Sequence, residues 1–449
     1  MSTTTKNSAL QDHASSFLDS LREFLTPAIW KQAEQARRCR RQSPRWTTQP
    51  LLLTLLAMTW CCGDSQAERF ETAKGFTAVC LVKRRRPGET VQGFHQALSK
   101  LPMAVLRALA AGVRCRLLAL FDLVSDGFIV FGGDGSSLEC PRVEELEKRL
   151  DAPQKKRRAP QVWVTAVVHL RTGLLWAWRL GKGHNRERSH LRALLPTLPA
   201  AALIVADAGY NGYDLAQAIM AAGVDFLIRM SSKDTLYSEL PLSPKDFKDG
   251  AVFLWTQGAR LNQQPPMRVR LIRIRGAQRR KDVWLLTSVV DAERLTVAMA
   301  SRYYRWRWEN EGLFRTYKRT LAKVKLMGRT VRQVHREAEG ALLATQLLLA
   351  QGTRALASGT RLVNARRCSP RKVLLAIREV IVGRIGIRKR ESFRKRLTKA
   401  LREQRQRTTP KVKRAWPRRV GHKAPKAPHI RVMTDDQKAL IAKLLAAAA

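Results

Sequence analysis

The sequence lacks several features that mark whole classes of protein. Its apolar run at residues 50–62 is shorter than the about 20 residues that cross a bilayer, so we expect a buried helix there. No apolar stretch of a signal peptide follows the first ten residues. The seven cysteines, odd in number and without CxxC spacing, argue against structural zinc and predict reduced thiols in a cytoplasm.

Acidic residues are also scarce. The chain has 36 Asp and Glu against 83 Lys and Arg, a formal net charge of +47. Nucleic acid is the favoured partner, because each phosphate that Lys or Arg neutralises releases a condensed counterion. An anionic membrane is the rival, but the basic runs lack an apolar helical face. With 45% hydrophobic residues in 449, the chain is no disordered polycation, and two or three domains are expected.

Residues 11–123 have a helical pattern, in which apolar residues recur at three- and four-residue intervals. A basic cluster at 83–86 leads into the turn sequence Pro87-Gly88-Glu89-Thr90, where Thr90 is expected to cap the next helix. This order is compatible with a helix-turn-helix that binds DNA. An ordinary helical bundle with solvated charges is an equal alternative.

From about residue 126 the pattern changes to short apolar runs. Strands are predicted at 128–131, 162–170, 174–180, 203–206, 226–230 and 283–289, with helices at 187–198 and 213–222. This alternation predicts a mixed α/β sheet. Residues 231–282 are predicted to be a β-rich insertion, and a long helix is expected from about 295 past 325, with further helix to about 356.

The segment 384–431 is strongly basic. It contains 19 Lys or Arg and 2 Glu, with few large apolar side chains. We expect it to be loosely structured and to lie on phosphates. A solvated charge run without a partner is the weaker alternative, because so much like charge needs counter-charge.

Two aspartates each follow an apolar strand. Asp134 comes after 128–131 and a pair of glycines, and Asp207 directly follows 203–206. Alone, either would be interpreted as a turn former or a helix cap. Together, at the carboxyl ends of two strands, they are candidate metal ligands.

Four further side chains share one predicted helix. They are Tyr304, Arg307, Glu311 and Lys318. Their offsets of 0, 3, 7 and 14 place them within about a 60° sector at 100° per residue. A solvent-exposed face with an ion pair between Arg307 and Glu311 would give the same pattern. Because the chain has only 6 tyrosines, the combination rarely arises by accident, which favours a functional face.

Three carboxylates suit phosphodiester chemistry. Magnesium takes oxygen ligands from a few carboxylates and completes its shell with water and substrate phosphate. Two such ions, about 3.5–4 Å apart, would activate the attacking oxygen and stabilise the leaving oxygen. Asp134, Asp207 and Glu311 are therefore the predicted catalytic and metal-binding residues. The other three residues of the helix face would hold neighbouring phosphates.

These motifs resemble those of insertion-sequence transposases of the IS-four group, within the DDE superfamily. That family carries Asp in a strand-Asp-Gly-Ser/Thr context, Asp after an apolar strand, and a helix with Tyr-x2-Arg-x3-Glu-x6-Lys. The matching segments here are Gly133-Asp134-Gly135-Ser136, residues 205–210 and residues 304–318. The resemblance covers residues 128–329. The chain departs from the family in its long basic tail and in Asn310, where an apolar residue is common.

The resemblance implies a ribonuclease-H-like mixed-sheet catalytic core at 124–345, with the β-rich insertion at 231–282. A helical N-terminal DNA-binding domain at 1–123 would precede it, and a helical, strongly basic C-terminal region at 346–449 would follow. The implied enzyme nicks transposon ends and joins the freed 3′ hydroxyl to target DNA, with or without a hairpin intermediate. It would use two Mg²⁺ or Mn²⁺ ions.

The resemblance also implies partners and a location. The partners are double-stranded DNA, both terminal inverted repeats and target, bound by a homodimer, with no membrane. The implied location is the bacterial cytoplasm, in association with the nucleoid.

Other residues near these motifs have more than one interpretation. Trp306 and Trp308 stack on an unpaired base or pack in the core. Four basic residues between the first two predicted strands are expected to contact DNA: Lys155, Lys156, Arg157 and Arg158. Three histidines lack the spacing of a metal site and are expected to be surface or core residues: His169, His184 and His190.

Two other functions remain open for this sequence. A DNA-binding protein derived from a transposase would keep its affinity without turnover, although a pure binder has no use for three carboxylates facing phosphates. A ribonuclease-H-like nuclease would cut DNA without joining strands. Joined product from a 3′-hydroxyl donor end separates that nuclease from a transposase.

Overall fold

The structure is a computed structural model that describes residues 15–37, 45–81, 87–150, 159–182, 187–242, 247–276, 282–357, 367–383, 393–402 and 427–446. The chain divides into two compact units. Unit 1 comprises Met1–Leu123, Gly135–Arg186 and Glu309–Glu403, and unit 2 comprises Val124–Asp134, Glu187–Trp308 and Gln404–Ala449. Over the described ranges, no helix has the length and apolarity needed to span a membrane.

Helices and strands follow one another along the whole chain. The helices are α1 (15–22), α2 (Pro27–Gln35), α3 (Thr48–Trp60), α4 (Gln66–Cys80), α5 (Val91–Lys100), α6 (Met103–Leu120), α7 (Glu144–Arg149), α8 (Glu187–Leu194), α9 (Tyr213–Ala221), α10 (Gln257–Leu261), α11 (Val297–Trp306), α12 (Trp308–Arg315), α13 (Val331–Leu356), α14 (Pro370–Ile381), α15 (Phe393–Thr398) and α16 (Asp435–Ala446). The strands are β1 (Ile129–Glu139), β2 (Gln161–His169), β3 (Leu174–Lys182), β4 (Ala202–Ala206), β5 (Asp225–Arg229), β6 (Thr235–Ser238), β7 (Asp249–Leu254), β8 (Met267–Ile274), β9 (Val283–Thr287) and β10 (His429–Val432).

The core of unit 1 forms around α3 and α13. Nearly every side chain of α3 is buried, because its apolar run has no polar face, and this confirms the buried helix predicted at 50–62. The indole Nε1 of Trp60 donates to the Ala344 carbonyl of α13 at 3.2 Å. A Cβ at Gly340 would lie 2.5 Å from Leu55 Cδ2, so this glycine permits the close approach of the two helices.

Two predicted features of unit 1 are confirmed. Thr90 caps α5, and its hydroxyl accepts the Gly93 N–H at 3.1 Å. Strands β2 and β3 form the antiparallel hairpin expected near 162–170 and 174–180. Gly173 takes a φ of +75° in the turn, a conformation that favours glycine.

Unit 2 is built on a mixed sheet with the strand order β10-β6-β7-β8-β9-β5-β4-β1. Strands β1, β4 and β5 are parallel, while β9, β8 and β7 continue the sheet in antiparallel pairs. The parallel strands are apolar runs buried on both faces, as in β4, where Leu203, Ile204 and Val205 are fully buried. Strands β6, β7 and β8 make up the β-rich insertion predicted at 231–282.

This arrangement confirms the predicted mixed α/β fold with a ribonuclease-H-like core. Helices precede and follow the strands, and the β-rich segment lies before the helix that carries Glu311. The three-domain division at 1–123, 124–345 and 346–449 stays a prediction.

The predicted continuous helix from about 295 past 325 is wrong. Helix α11 ends at Trp306, α12 begins at Trp308, and a π-helical turn at Thr316–Thr320 ends the helical stretch. Leu326 N then donates to the Glu139 carbonyl at 2.8 Å, in a parallel bridge between Glu139 and Lys325. Pairing with the end of β1 therefore replaces helix at 321–330, a case of tertiary contact overriding helix propensity.

The prediction of a loose basic tail at 384–431 is wrong for its described parts. Phe393 and Leu397 of α15 are buried, and β10 pairs in parallel with β6, with His429 opposite Thr235. Apolar burial and backbone pairing thus fix two parts of a segment whose charge alone favours disorder. Residues 384–392 and 403–426 lie outside the described residues.

Candidate active site

Asp134 lies inside β1 and not beyond its end, which corrects the strand predicted to stop at residue 131. The small residues that follow stay extended as part of β1. Parallel pairing of β1 with β4 ends at Gly132 and Val205. The half-buried Asp134 therefore lies just past the carboxyl edge of this parallel pair.

Asp207 directly follows β4, as the sequence predicts. It also caps a 3₁₀ turn at Ala208–Tyr210, where its Oδ1 accepts the Gly209 N–H at 2.9 Å. Continuing the register of Gly132 with Val205 by two residues sets Asp134 opposite Asp207. Neighbouring strands are about 4.7–4.9 Å apart, so the two aspartates are close neighbours at the carboxyl ends of the parallel strands. We call them the aspartate pair.

A third carboxylate of unit 2, Glu187 at the start of α8, lies near the aspartate pair. The pKa of Glu187 is raised from 4.5 to about 7, chiefly by burial and also by the negative charges of Asp134 and Asp207. The Tyr210 hydroxyl is buried here too, and burial and the same negative charges hold its pKa well above the usual value. The aspartate pair thus creates a negative potential that favours the protonated forms of Glu187 and Tyr210.

Sequence reasoning did not identify Glu187. It follows no strand and shares no spacing with the aspartate pair, so only the folded position of α8 reveals it.

Within the described residues, no three His, Cys, Asp or Glu side chains are arranged to hold a metal ion. The donor chemistry nevertheless suits a hard cation, because the aspartate pair offers carboxylate oxygens beside the half-buried Glu187. The structure therefore brings together two of the three predicted ligands in unit 2.

Glu311, the third predicted ligand, belongs to unit 1. It is an exposed residue in the first turn of α12. Its neighbour Asn310, where the transposase family often has an apolar residue, is fully buried. Neither polar atom of the Asn310 amide has a hydrogen-bond partner among the described residues, which is costly for a buried group.

Lys318 lies in the π-helical turn that ends this helical stretch. A π turn closes hydrogen bonds from i to i+5, so Lys318 is rotated from the position that a continuous α-helix would give it. The prediction that all four side chains share a sector of about 60° is therefore wrong for Lys318. Burial lowers the pKa of Lys318, while the negative charge of Glu139 opposes that shift.

Tyr304, Arg307 and Trp308 form a compact group at the junction of α11 and α12. The Arg307 guanidinium lies 5.5 Å from the Tyr304 ring centre and 5.7 Å from the Trp308 ring centre. Trp308 is 61% exposed, which excludes core packing as its role. The Tyr304 hydroxyl is buried without a hydrogen-bond partner among the described residues.

The remaining predicted residues divide into described and undescribed ones. Trp306 packs on Tyr303 with ring centres 5.3 Å apart. His169 is a core residue, as expected, with Nε2 3.0 Å from the Leu123 carbonyl, and His190 is also buried. The basic cluster Lys155, Lys156, Arg157 and Arg158 lies outside the described residues, as does His184.

Comparison with known proteins gives one family match. Residues 133–347 match the family model described as "Transposase DDE domain". No curated protein matches the chain. A solved structure of a piggyBac transposase synaptic complex with hairpin DNA resembles the chain at 11% identity and a TM-score of 0.43, over 87% of this chain and 86% of that one.

Proposed function

Residues 133–347 are similar to a transposase DDE domain, and from that similarity we propose that the chain is a metal-dependent enzyme that cuts and joins DNA. It would nick transposon ends and transfer the freed 3′ hydroxyl to target DNA. Asp134, Asp207 and Glu311 would be the catalytic residues. The observation that carries this proposal is the parallel register of β1 and β4, which sets Asp134 opposite Asp207 at the sheet edge.

We propose Mg²⁺ or Mn²⁺ as the cofactor, two ions held by the aspartate pair and Glu311. Bound there, the ions would activate the attacking oxygen and stabilise the negative charge on the leaving oxygen of a phosphodiester. Glu187 adds a carboxylate beside the aspartate pair, and burial together with the charges of Asp134 and Asp207 raises its pKa; a cation bound there would offset the like charges. The aspartates themselves would orient phosphate oxygens only through that cation, because carboxylates repel phosphates.

DNA binding would use the excess of positive charge and the group at the α11–α12 junction. Arg307 and Lys318 are proposed to contact phosphates, and Tyr304 to align them. The exposed Trp308 ring is proposed to stack on an unpaired base. We keep the undescribed basic cluster 155–158 as a proposed DNA contact.

We further propose that a homodimer brings two transposon ends together, in the cytoplasm where its DNA substrate lies. Light scattering of the protein with and without end DNA would test the dimer, with one protomer per complex as the contradicting result.

The catalytic proposal is tested by cleavage and joining of labelled duplexes that carry the flanking DNA ends. Asp134→Asn, Asp207→Asn and Glu311→Gln should each lower metal-dependent cleavage by more than about a hundredfold, because each removes a proposed metal ligand. DNA affinity should stay near that of the wild type. Asp214→Asn, an exposed aspartate of α9, is the matched control and should cleave normally.

The same assay separates the alternatives. Wild-type cleavage without joined product would favour a nuclease, and DNA binding without any cleavage would favour a non-catalytic derivative. Normal cleavage by any one carboxylate variant would remove that residue from the proposed site.

A further inference from the structure

A second charged region lies in unit 1. It centres on Glu309, which lies in the first turn of α12 together with Glu311. A cleft of about 170 Å³ opens there, lined by α12, the start of α14 and the β2–β3 turn. Four arginines line it: Arg315, Arg367, Arg371 and Arg402. We call this region the arginine cleft.

Glu309 engages two of the four arginines. Its Oε1 accepts from Arg367 Nη1 at 2.6 Å, and its Oε2 accepts from Arg402 Nη1 at 2.7 Å. Arg367 also donates to the main-chain carbonyls of Leu170 and Arg171, at 2.7 and 2.8 Å. Both carboxylate oxygens are thus used, and the two guanidinium groups are held in fixed directions.

The other two arginines have no such partner among the residues that the structure describes. Arg315 and Arg371 are exposed, and neither forms an ion pair with any residue that the structure describes. The lining of the cleft therefore has one carboxylate and four guanidinium groups. Burial lowers the pKa of Arg367, although the negative charge of Glu309 opposes that shift. Positive charge held partly out of water in this way favours a bound anion.

The main chain adds to the same preference. Helix α14 has 12 residues and begins at the cleft, and its N-cap Ser369 makes no side-chain cap bond. The N-terminus of a helix carries partial positive charge. The arginines and the helix end therefore act on one small volume.

We propose that the arginine cleft binds a phosphate group of the DNA backbone. This rests on the proposed function and adds a DNA contact that involves none of the residues at the α11–α12 junction. Arg315 and Arg371 would reach the phosphate, while Glu309 fixes the directions of Arg367 and Arg402. Arginine suits this role because its fork of donors matches two phosphate oxygens.

The test is the salt dependence of binding to a fluorescent DNA duplex. Each phosphate contact contributes about 0.9 to the magnitude of the slope of log affinity against log salt. Because both arginines reach one phosphate, Arg315→Gln/Arg371→Gln should reduce that magnitude by about 0.9 and weaken binding about tenfold. The matched control Lys31→Gln/Arg149→Gln removes two exposed charges elsewhere in unit 1. A slope for the test variant equal to that of the control would overturn the proposal.

A second arm distinguishes DNA from free phosphate as the ligand. Replacing chloride by inorganic phosphate at equal ionic strength should leave the difference between wild type and double variant intact. If the double variant binds inorganic phosphate more weakly than the wild type but keeps the control's slope on DNA, the cleft is a free-phosphate site and the proposal is wrong.

Cleavage by the wild type distinguishes a failure of the cleft proposal from a failure of the proposed function. An unchanged slope beside normal metal-dependent cleavage refutes the cleft alone. Failure of the wild type to bind or cut DNA would refute the proposed function and the cleft together.

Discussion

Replacing Glu187 by glutamine should stabilise the metal-free protein in a pH-dependent way. In the folded chain this carboxyl group has a pKa of about 7, against an ordinary value of 4.5, because it is half-buried beside the aspartate pair. Ionisation of Glu187 therefore opposes folding. The Glu187→Gln variant keeps the shape of the side chain and removes that charge.

The magnitude of this stabilisation and its pH dependence follow from the linkage between proton binding and folding. A shift from 4.5 to about 7 corresponds to about 3.4 kcal/mol at 1.36 kcal/mol per pKa unit, which partial exposure reduces to about 1–2 kcal/mol. The folded pKa lies above the unfolded one, so the penalty is absent below pH 4.5, grows between pH 4.5 and about 7, and is complete above that. The gain from Glu187→Gln should therefore be larger near pH 8 than near pH 5.

Urea unfolding near both pH values measures this gain, with Glu34→Gln, an exposed glutamate of α2, as the matched control. Adding Mg²⁺ should shrink the gain, since a cation at the aspartate pair would offset the negative charge around Glu187. An equal gain at both pH values, or a loss of stability near pH 8, would refute the electrostatic reasoning.

Three further substitutions test packing and the proposed DNA surface. Gly340→Ala should lower the free energy of unfolding by about 1–3 kcal/mol, because the new methyl meets Leu55, and an unchanged urea midpoint would contradict this contact. Asn310→Leu should raise the free energy of unfolding by about 1–3 kcal/mol, because it removes a buried amide without partners; a drop would show that the amide is satisfied. Trp308→Ala should weaken binding to DNA with an unpaired base by about 1–3 kcal/mol and leave the melting temperature unchanged, and equal weakening on fully paired DNA would argue against stacking.

Much of the fold is predictable because its signals are local. The apolar runs before Asp134 and Asp207 fix strands, and strands of one parallel pair end at the same edge of the sheet. Thr90 is followed by a helix because a hydroxyl at that position satisfies an orphan N–H.

The failures arise where distant segments decide the structure. Nothing local stops the helix that carries Glu311, yet the chain after Thr320 leaves it to pair with Glu139. Likewise, Glu309 and its partners Arg367 and Arg402 are 58 and 93 residues apart in sequence, so no spacing rule connects them. Glu187 escaped prediction for the same reason.

The most direct test of the central claim is Fe²⁺-directed cleavage of the polypeptide. Fe²⁺ substitutes for Mg²⁺ at oxygen-rich sites. With added hydrogen peroxide as oxidant and ascorbate as reductant, it generates hydroxyl radicals that cut the backbone beside the bound ion. If Asp134, Asp207 and Glu311 share their metal ions, the wild type should be cut near all three residues, and Asp134→Asn/Asp207→Asn should lose all three cuts. Cuts near the aspartate pair with none near Glu311, or cuts that persist in the double variant, would contradict the account.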